Sequence, residues 1–161
     1  MENKWLHQWS INFKIAIVSY LILLTVGFSF ALLQGYDKTQ LNHAKTITYY
    51  QGGDSADSLD LPKPYSHILA VMHVHAFTIP LVFFSLWILL GFVPTANRFK
   101  GMLIVINGLG ILIYNFSPWL VRYGGNQYVY GFTIGGGGMF LCFGIIAATI
   151  FYEIFWGIKK V

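Results

Sequence analysis

A single cysteine, Cys142, stands in a chain of 161 residues. That count excludes a disulfide framework, a CxxC redox pair and any metal site built on thiolates. Charge is scarce too: ten Lys and Arg with six Asp and Glu make up 10% of the residues, where a water-soluble domain carries about 25%. Hydrolytic and phosphoryl-transfer chemistry find no support, because G-x-S-x-G, the P-loop and H-E-x-x-H are all missing. Asp54, Asp57 and Asp60 lack the spacing of a calcium loop and read as a solvated acidic stretch. The two halves show no self-similarity, so the inverted repeats of many transporters are absent. Basic residues fall in ones and twos, which makes the net charge of +4 no footprint for nucleic acid.

What the chain has in abundance is apolar surface, with 56% hydrophobic and 18% aromatic residues. The uncharged residues gather in four runs, 15–33, 65–93, 101–121 and 127–152, each long enough to cross a hydrocarbon core of about 30 Å as a helix. The fold expected is all-α: one integral membrane domain, an up-down-up-down four-helix bundle with helices at 11–33, 65–93, 101–121 and 127–157 and an outer loop at 34–64. The first run has no A-x-A-like cleavage site after it and reads as a retained helix. Lys4, Lys14, Arg98, Lys100, Lys159 and Lys160 fall on one side, with Glu2 and Glu153; Lys38, Lys45, Lys63 and Arg122 fall on the other, with Asp37, Asp54, Asp57 and Asp60. The positive-inside rule then places both termini in the cytoplasm and the outer loop on the periplasmic side of a bacterial inner membrane. Within that loop, 37–50 is expected to lie on the bilayer as a short helix with Leu41, Ala44 and Ile47 beneath, followed by turns and extended chain.

Histidine is absent from the first, third and fourth runs but appears three times at the start of the second, as His67, His73 and His75. An ionisable side chain at membrane depth marks a functional site by default. On a regular helix His73 and His75 project about 160° apart, and His67 and His75 are about 12 Å apart along the axis. No two of them grip one ion unaided. Counting down the fourth run, Gly135, Gly136, Gly137 and Gly138 reach a similar depth, with Met139 beneath. A glycine wall opposite a histidine leaves room for a flat group, either haem b iron held by histidine or a quinone headgroup hydrogen-bonded to it. Met139, Met72 and His43 are the candidates for a second haem ligand, and Arg122 for pairing with a propionate, a lipid phosphate or an outer aspartate. A copper or zinc site would use His43, His67 and one of His73 or His75. The competing reading is that the histidines hydrogen-bond within the bundle or to another subunit. Asn107 and Asn115 are expected to bridge helices, Glu153 to pair with Lys14 or Lys100 or to snorkel, and His7 to be solvated.

The segments YYQGGD, LPKPYSHILAVMHVHAF and SPWLVRY, spanning 49–123, resemble small bacterial four-helix inner-membrane proteins of unassigned function that carry His-x-His near the outer end of the second helix. That resemblance implies association with respiratory or redox membrane complexes. The function expected is therefore a small redox subunit in the lipid bilayer, binding haem b or quinone and working with other membrane or periplasmic redox subunits or as a homo-oligomer. The alternatives are a non-catalytic accessory or assembly subunit and a periplasm-facing metal-handling protein.

Overall fold

The computed structural model describes residues 5–55 and 58–157. Glu2, Lys4, Asp57, Lys159 and Lys160, all used in the charge count, lie outside the described residues. Four stretches are long and apolar enough to cross a membrane: Ile11–Thr39, Tyr65–Gly91, Asn97–Tyr123 and Asn126–Trp156. They form the up-and-down bundle that the hydropathy pattern calls for. In chain order the elements are α1 (Ile11–Thr39), α2 (His43–Gln51), a hairpin of β1 (Gly53–Ser55) and β2 (Ser58–Asp60), α3 (Tyr65–Gly91), α4 (Asn97–Tyr123) and α5 (Gly137–Trp156). A short 3-10 turn, Asn126–Val129, and a π turn, Phe132–Gly136, precede α5. One end of the bundle carries the termini and the α3–α4 connection. The opposite end is capped by α2 and the hairpin.

Several boundaries differ from the hydropathy reading, and each difference has a local cause. The first helix runs on to Thr39, not 33, because helix geometry needs no apolar residues once the chain has left the hydrocarbon. Its 29 residues extend about 43 Å at 1.5 Å per residue, against roughly 30 Å of bilayer core. Gln40 and Leu41 then stop it, both at positive φ (51° and 53°). The expected surface helix is realised as α2, started by Asn42, whose side chain accepts from the amides of Ala44 (2.9 Å) and Lys45 (3.2 Å). Thr46 is the residue that α2 buries against the bundle, while Leu41 and Ala44 are exposed. The Gly- and Asp-rich stretch forms an antiparallel pairing of β1 with β2. The fourth span is not one regular helix, since the glycine run begins inside the π turn.

Burial is uneven across the bundle. Of the most apolar stretch in each span, 11% is buried for α1 and 17% for α3, against 33% for α4 and 39% for the last span. The tight contact is between α4 and the start of the last span. A Cβ added to Gly135 would stand 2.6 Å from the Tyr114 amide nitrogen and 2.8 Å from the Gly110 carbonyl oxygen, and one on Gly136 would stand 3.2 Å from the Tyr114 ring. One on Gly131 would run into the Ser117 hydroxyl. These glycines let two backbones approach as small residues do between membrane helices. By contrast α1 is lightly held. Its Tyr20 hydroxyl donates to Ser85 Oγ on α3, whose own hydrogen goes to the Val82 carbonyl at 2.6 Å. Phe28 packs against Phe83, Phe140 and Phe143, with ring centroids 4.4–5.9 Å away.

The buried asparagines do not bridge helices. Asn115 Nδ2 donates to the Ile111 carbonyl of its own helix at 2.9 Å. Asn107 is fully buried, and neither its Oδ1 nor its Nδ2 has a partner among the described residues.

Candidate functional site

Polar and aromatic side chains collect in three places: under the cap, around the first turns of α3, and at the end that carries the termini. Under the cap, α2 lies over the π turn. His43 Nε2 and the Thr133 hydroxyl form a 2.7 Å hydrogen bond, and the Tyr130 ring meets His43 edge-on at 4.8 Å. Tyr50 stacks on Phe132 at 5.5 Å, and Phe132 meets Tyr114 edge-on at 5.8 Å. Gln51 Nε2 donates to the Val121 carbonyl at 2.7 Å. Burial, then the nearby Tyr114 and Tyr49 hydroxyls, push the Tyr50 hydroxyl well above the usual tyrosine range. Burial also raises Tyr49, whose ring carries the Lys63 ammonium at 4.4 Å. Of the sequence-derived candidates, His43 is thus committed to Thr133. Arg122 donates through Nε to the Lys63 carbonyl at 3.3 Å and so pins the chain entering α3.

The start of α3 is the opposite case. His67 and His73 are exposed and His75 is half-buried. None of the three makes a side-chain hydrogen bond among the described residues, and His73 has only the edge of Phe77 at 5.2 Å. Exposed Leu69 and Phe77 flank His73 on its side of the helix, so the surroundings of that imidazole are apolar. The expected partners of these histidines lie elsewhere. Gly135 and Gly136 face α4, and the space beside them is filled by Tyr114 and Gly110. Met139 is buried in that same contact, its Cγ against Gly110. Gly137 and Gly138 have open sides. Gly135 and Gly136 are therefore not free to wall a flat group beside α3. The metal reading meets a similar limit: among the described residues, no three His, Cys, Asp or Glu side chains converge to hold an ion.

At the end that carries the termini lies a pair that sequence reasoning missed. His7, expected to be solvated, is buried at 7% exposure, and Glu153, expected to snorkel or meet a lysine, is buried at 3%. His7 Nδ1 and Glu153 Oε1 are 2.5 Å apart. A 3-10 turn at Leu6–Gln8 carries His7 into the bundle because Leu6, one residue before it, is fully buried. The one available signal was the pair of tryptophans around L-H-Q in W-L-H-Q-W, an apolar signature with no periodicity to orient it.

No curated protein and no solved structure matches the chain. Residues 40–160 match a protein family described as a transmembrane helical domain. That match takes in α2 to α5, including the cap, the histidine-bearing start of α3 and the α4–glycine contact. With four spans of the right length and composition, the chain is a multi-pass membrane protein and belongs to this transmembrane helical domain family.

Proposed function

We propose that the protein is a small subunit of a redox assembly in a bacterial inner membrane. In this reading α3 presents a histidine, His73 or His75, to a haem b or quinone at the boundary with a second chain, near the capped, periplasm-facing end. The observation that carries it is the exposure of His73 on an apolar flank without a hydrogen-bond partner among the described residues. A histidine facing acyl chains is costly, and a group outside the chain that coordinates or hydrogen-bonds the imidazole offsets the cost. A site shared between chains is favoured because Gly135 and Gly136, half of the expected glycine wall, are packed against α4. His67, near the start of α3, lines the approach, and the capping elements with Arg122 hold that end of α3 in place.

The test is a reduced-minus-oxidised visible spectrum, with lipid extraction for quinone, on protein purified gently from native membranes. A haem band or a stoichiometric quinone that disappears with His73→Ala or His75→Ala is the expected result. A flat spectrum and a quinone-free extract from intact, stable protein would end the redox reading. The exposed flanks of α1 and α3 favour a second reading, a cofactor-free accessory subunit docked on a larger membrane complex. Co-purification of such a complex with no cofactor supports it. Bound metal without colour would point instead to a metal-handling role.

A further inference from the structure

Residues 5–9 touch all four spans at one end of the bundle. The Leu6 amide donates to the Phe92 carbonyl, just past α3, at 3.1 Å. The Trp9 ring meets Phe92 edge-on at 5.0 Å. Trp5 lies 5.9 Å from the Lys100 ammonium of α4. His7 reaches Glu153 of α5, and the His7 carbonyl accepts from Lys14 Nζ of α1 at 2.7 Å. Past α5, Gly157 is shaped around the imidazole: a Cβ there would stand 2.8 Å from His7 Cβ and 2.9 Å from Cγ.

Beside this tie, the adjoining half of α1 has gaps on both sides. An apolar groove of about 530 Å³ separates it from α5, between Leu21, Ile22 and Thr25 on one wall and Ala147, Phe151 and Trp156 on the other. A second groove, of about 350 Å³, lies between Phe13 and Ile17 of α1 and Ile88 and Leu89 of α3. A helix bordered by apolar grooves on two sides, with few residues buried against its own chain, is the kind of element that moves as a unit.

We propose that residues 5–9 are a clasp for α1, and that the seating of His7 on Glu153 sets whether α1 is packed against the bundle or swings away from it. At 2.5 Å one proton must lie between Nδ1 and Oε1, since two facing lone pairs would repel. The far nitrogen, Nε2, is buried with no partner among the described residues. Unseating His7 releases the end of α1 that Lys14 ties to this segment, leaving Tyr20 and Phe28 to hold the helix further along.

The test is an electron-spin distance measurement in lipid nanodiscs, with labels at Ile15→Cys on α1 and Met102→Cys on α4, both exposed, in a Cys142→Ala background. With the clasp intact, one narrow distance distribution is expected. His7→Ala should shift the clasp equilibrium roughly 100-fold or more, as loss of one partner of a buried charged pair does. It should bring up a second population displaced by about 5 Å, the scale of helix shifts in switching proteins. Gly157→Ala removes no polar group but crowds both the imidazole and, at 2.5 Å, the Glu153 carbonyl oxygen, and should broaden the distribution in the same way. If His7→Ala does not fold, Gly157→Ala decides alone. A distribution that stays narrow in a folded variant of either kind overturns the clasp.

Discussion

Replacing Gly135 by alanine is the sharpest probe of what the glycine run does. The added methyl would stand 2.6 Å from the Tyr114 nitrogen and 2.8 Å from the Gly110 oxygen. Both are backbone atoms, unable to turn aside as a side chain can. Restoring ordinary contact at 3.4 Å requires α4 and the π turn to part by roughly 0.8 Å. Overpacking of this kind costs about 3 kcal/mol, which in a chain of this size lowers the unfolding temperature by roughly 6–12 °C. Gly137 is the internal control, because nothing lies within 4 Å of a Cβ built there. Alanine at 137 should be neutral or raise stability by up to about 1 kcal/mol through helix propensity. Thermal unfolding followed by circular dichroism in a mild detergent, with both variants side by side, measures the difference. Equal midpoints for Gly135→Ala and Gly137→Ala would refute the close α4 contact and reopen the run as the wall of a cavity.

Three further outcomes follow from contacts at the cap and between α1 and α3. His43→Ala and Thr133→Val each remove the same 2.7 Å hydrogen bond and should each destabilise α2 docking by about 1 kcal/mol. The double variant should cost little more than either single one, measured by protection of α2 in hydrogen exchange, and full additivity would argue against the pairing. The Tyr50 hydroxyl, held above its ordinary value of 10.0 by burial first and then by Tyr114 and Tyr49, favours the protonated folded form. Docking of α2 should be complete below pH 10 and weaken as pH rises beyond it. In an ultraviolet phenolate titration Tyr50→Phe should delete one late-ionising group, and an unchanged late phase would count against the stacked, buried placement. Tyr20→Phe should cost about 1 kcal/mol by leaving Ser85 without its donor, and an unchanged midpoint would mean that α1 and α3 do not meet through this pair.

How much of this was legible in the sequence depended on the kind of signal. Hydropathy is a property of long windows, so all four spans and their alternation could be read directly. The ends were harder. The extension of α1 to Thr39 lies beyond the hydrocarbon, where apolarity no longer reports helix. The π turn at Phe132–Gly136 leaves no mark in residue type. Histidines at membrane depth were visible as an anomaly, but angular counting along an ideal helix did not say which way they face relative to the other spans. Facing depends on how α3 rolls against α4 and α5, and the glycines that fix that packing looked from sequence like the lining of a pocket. The His7–Glu153 pair joins positions 146 residues apart. No local pattern announces such a contact, and each partner alone has the composition of an ordinary helix-end residue.

A π turn is one extra residue absorbed into a helix, and each residue of an α-helix turns the chain by about 100°. The turn at Phe132–Gly136 therefore fixes the rotational phase of everything after it. Ahead of it, Gly131 faces Ser117; beyond it, Glu153 faces His7. Delete one residue from the turn and an uninterrupted α-helix would keep the first contact while carrying the carboxylate about a quarter-turn off the imidazole. The two extremities of the bundle are thus geared to one another along a single shaft. Insertions and deletions in this stretch should be tolerated far less readily than substitutions, because a change in length under the cap is felt some twenty residues away as a change of facing.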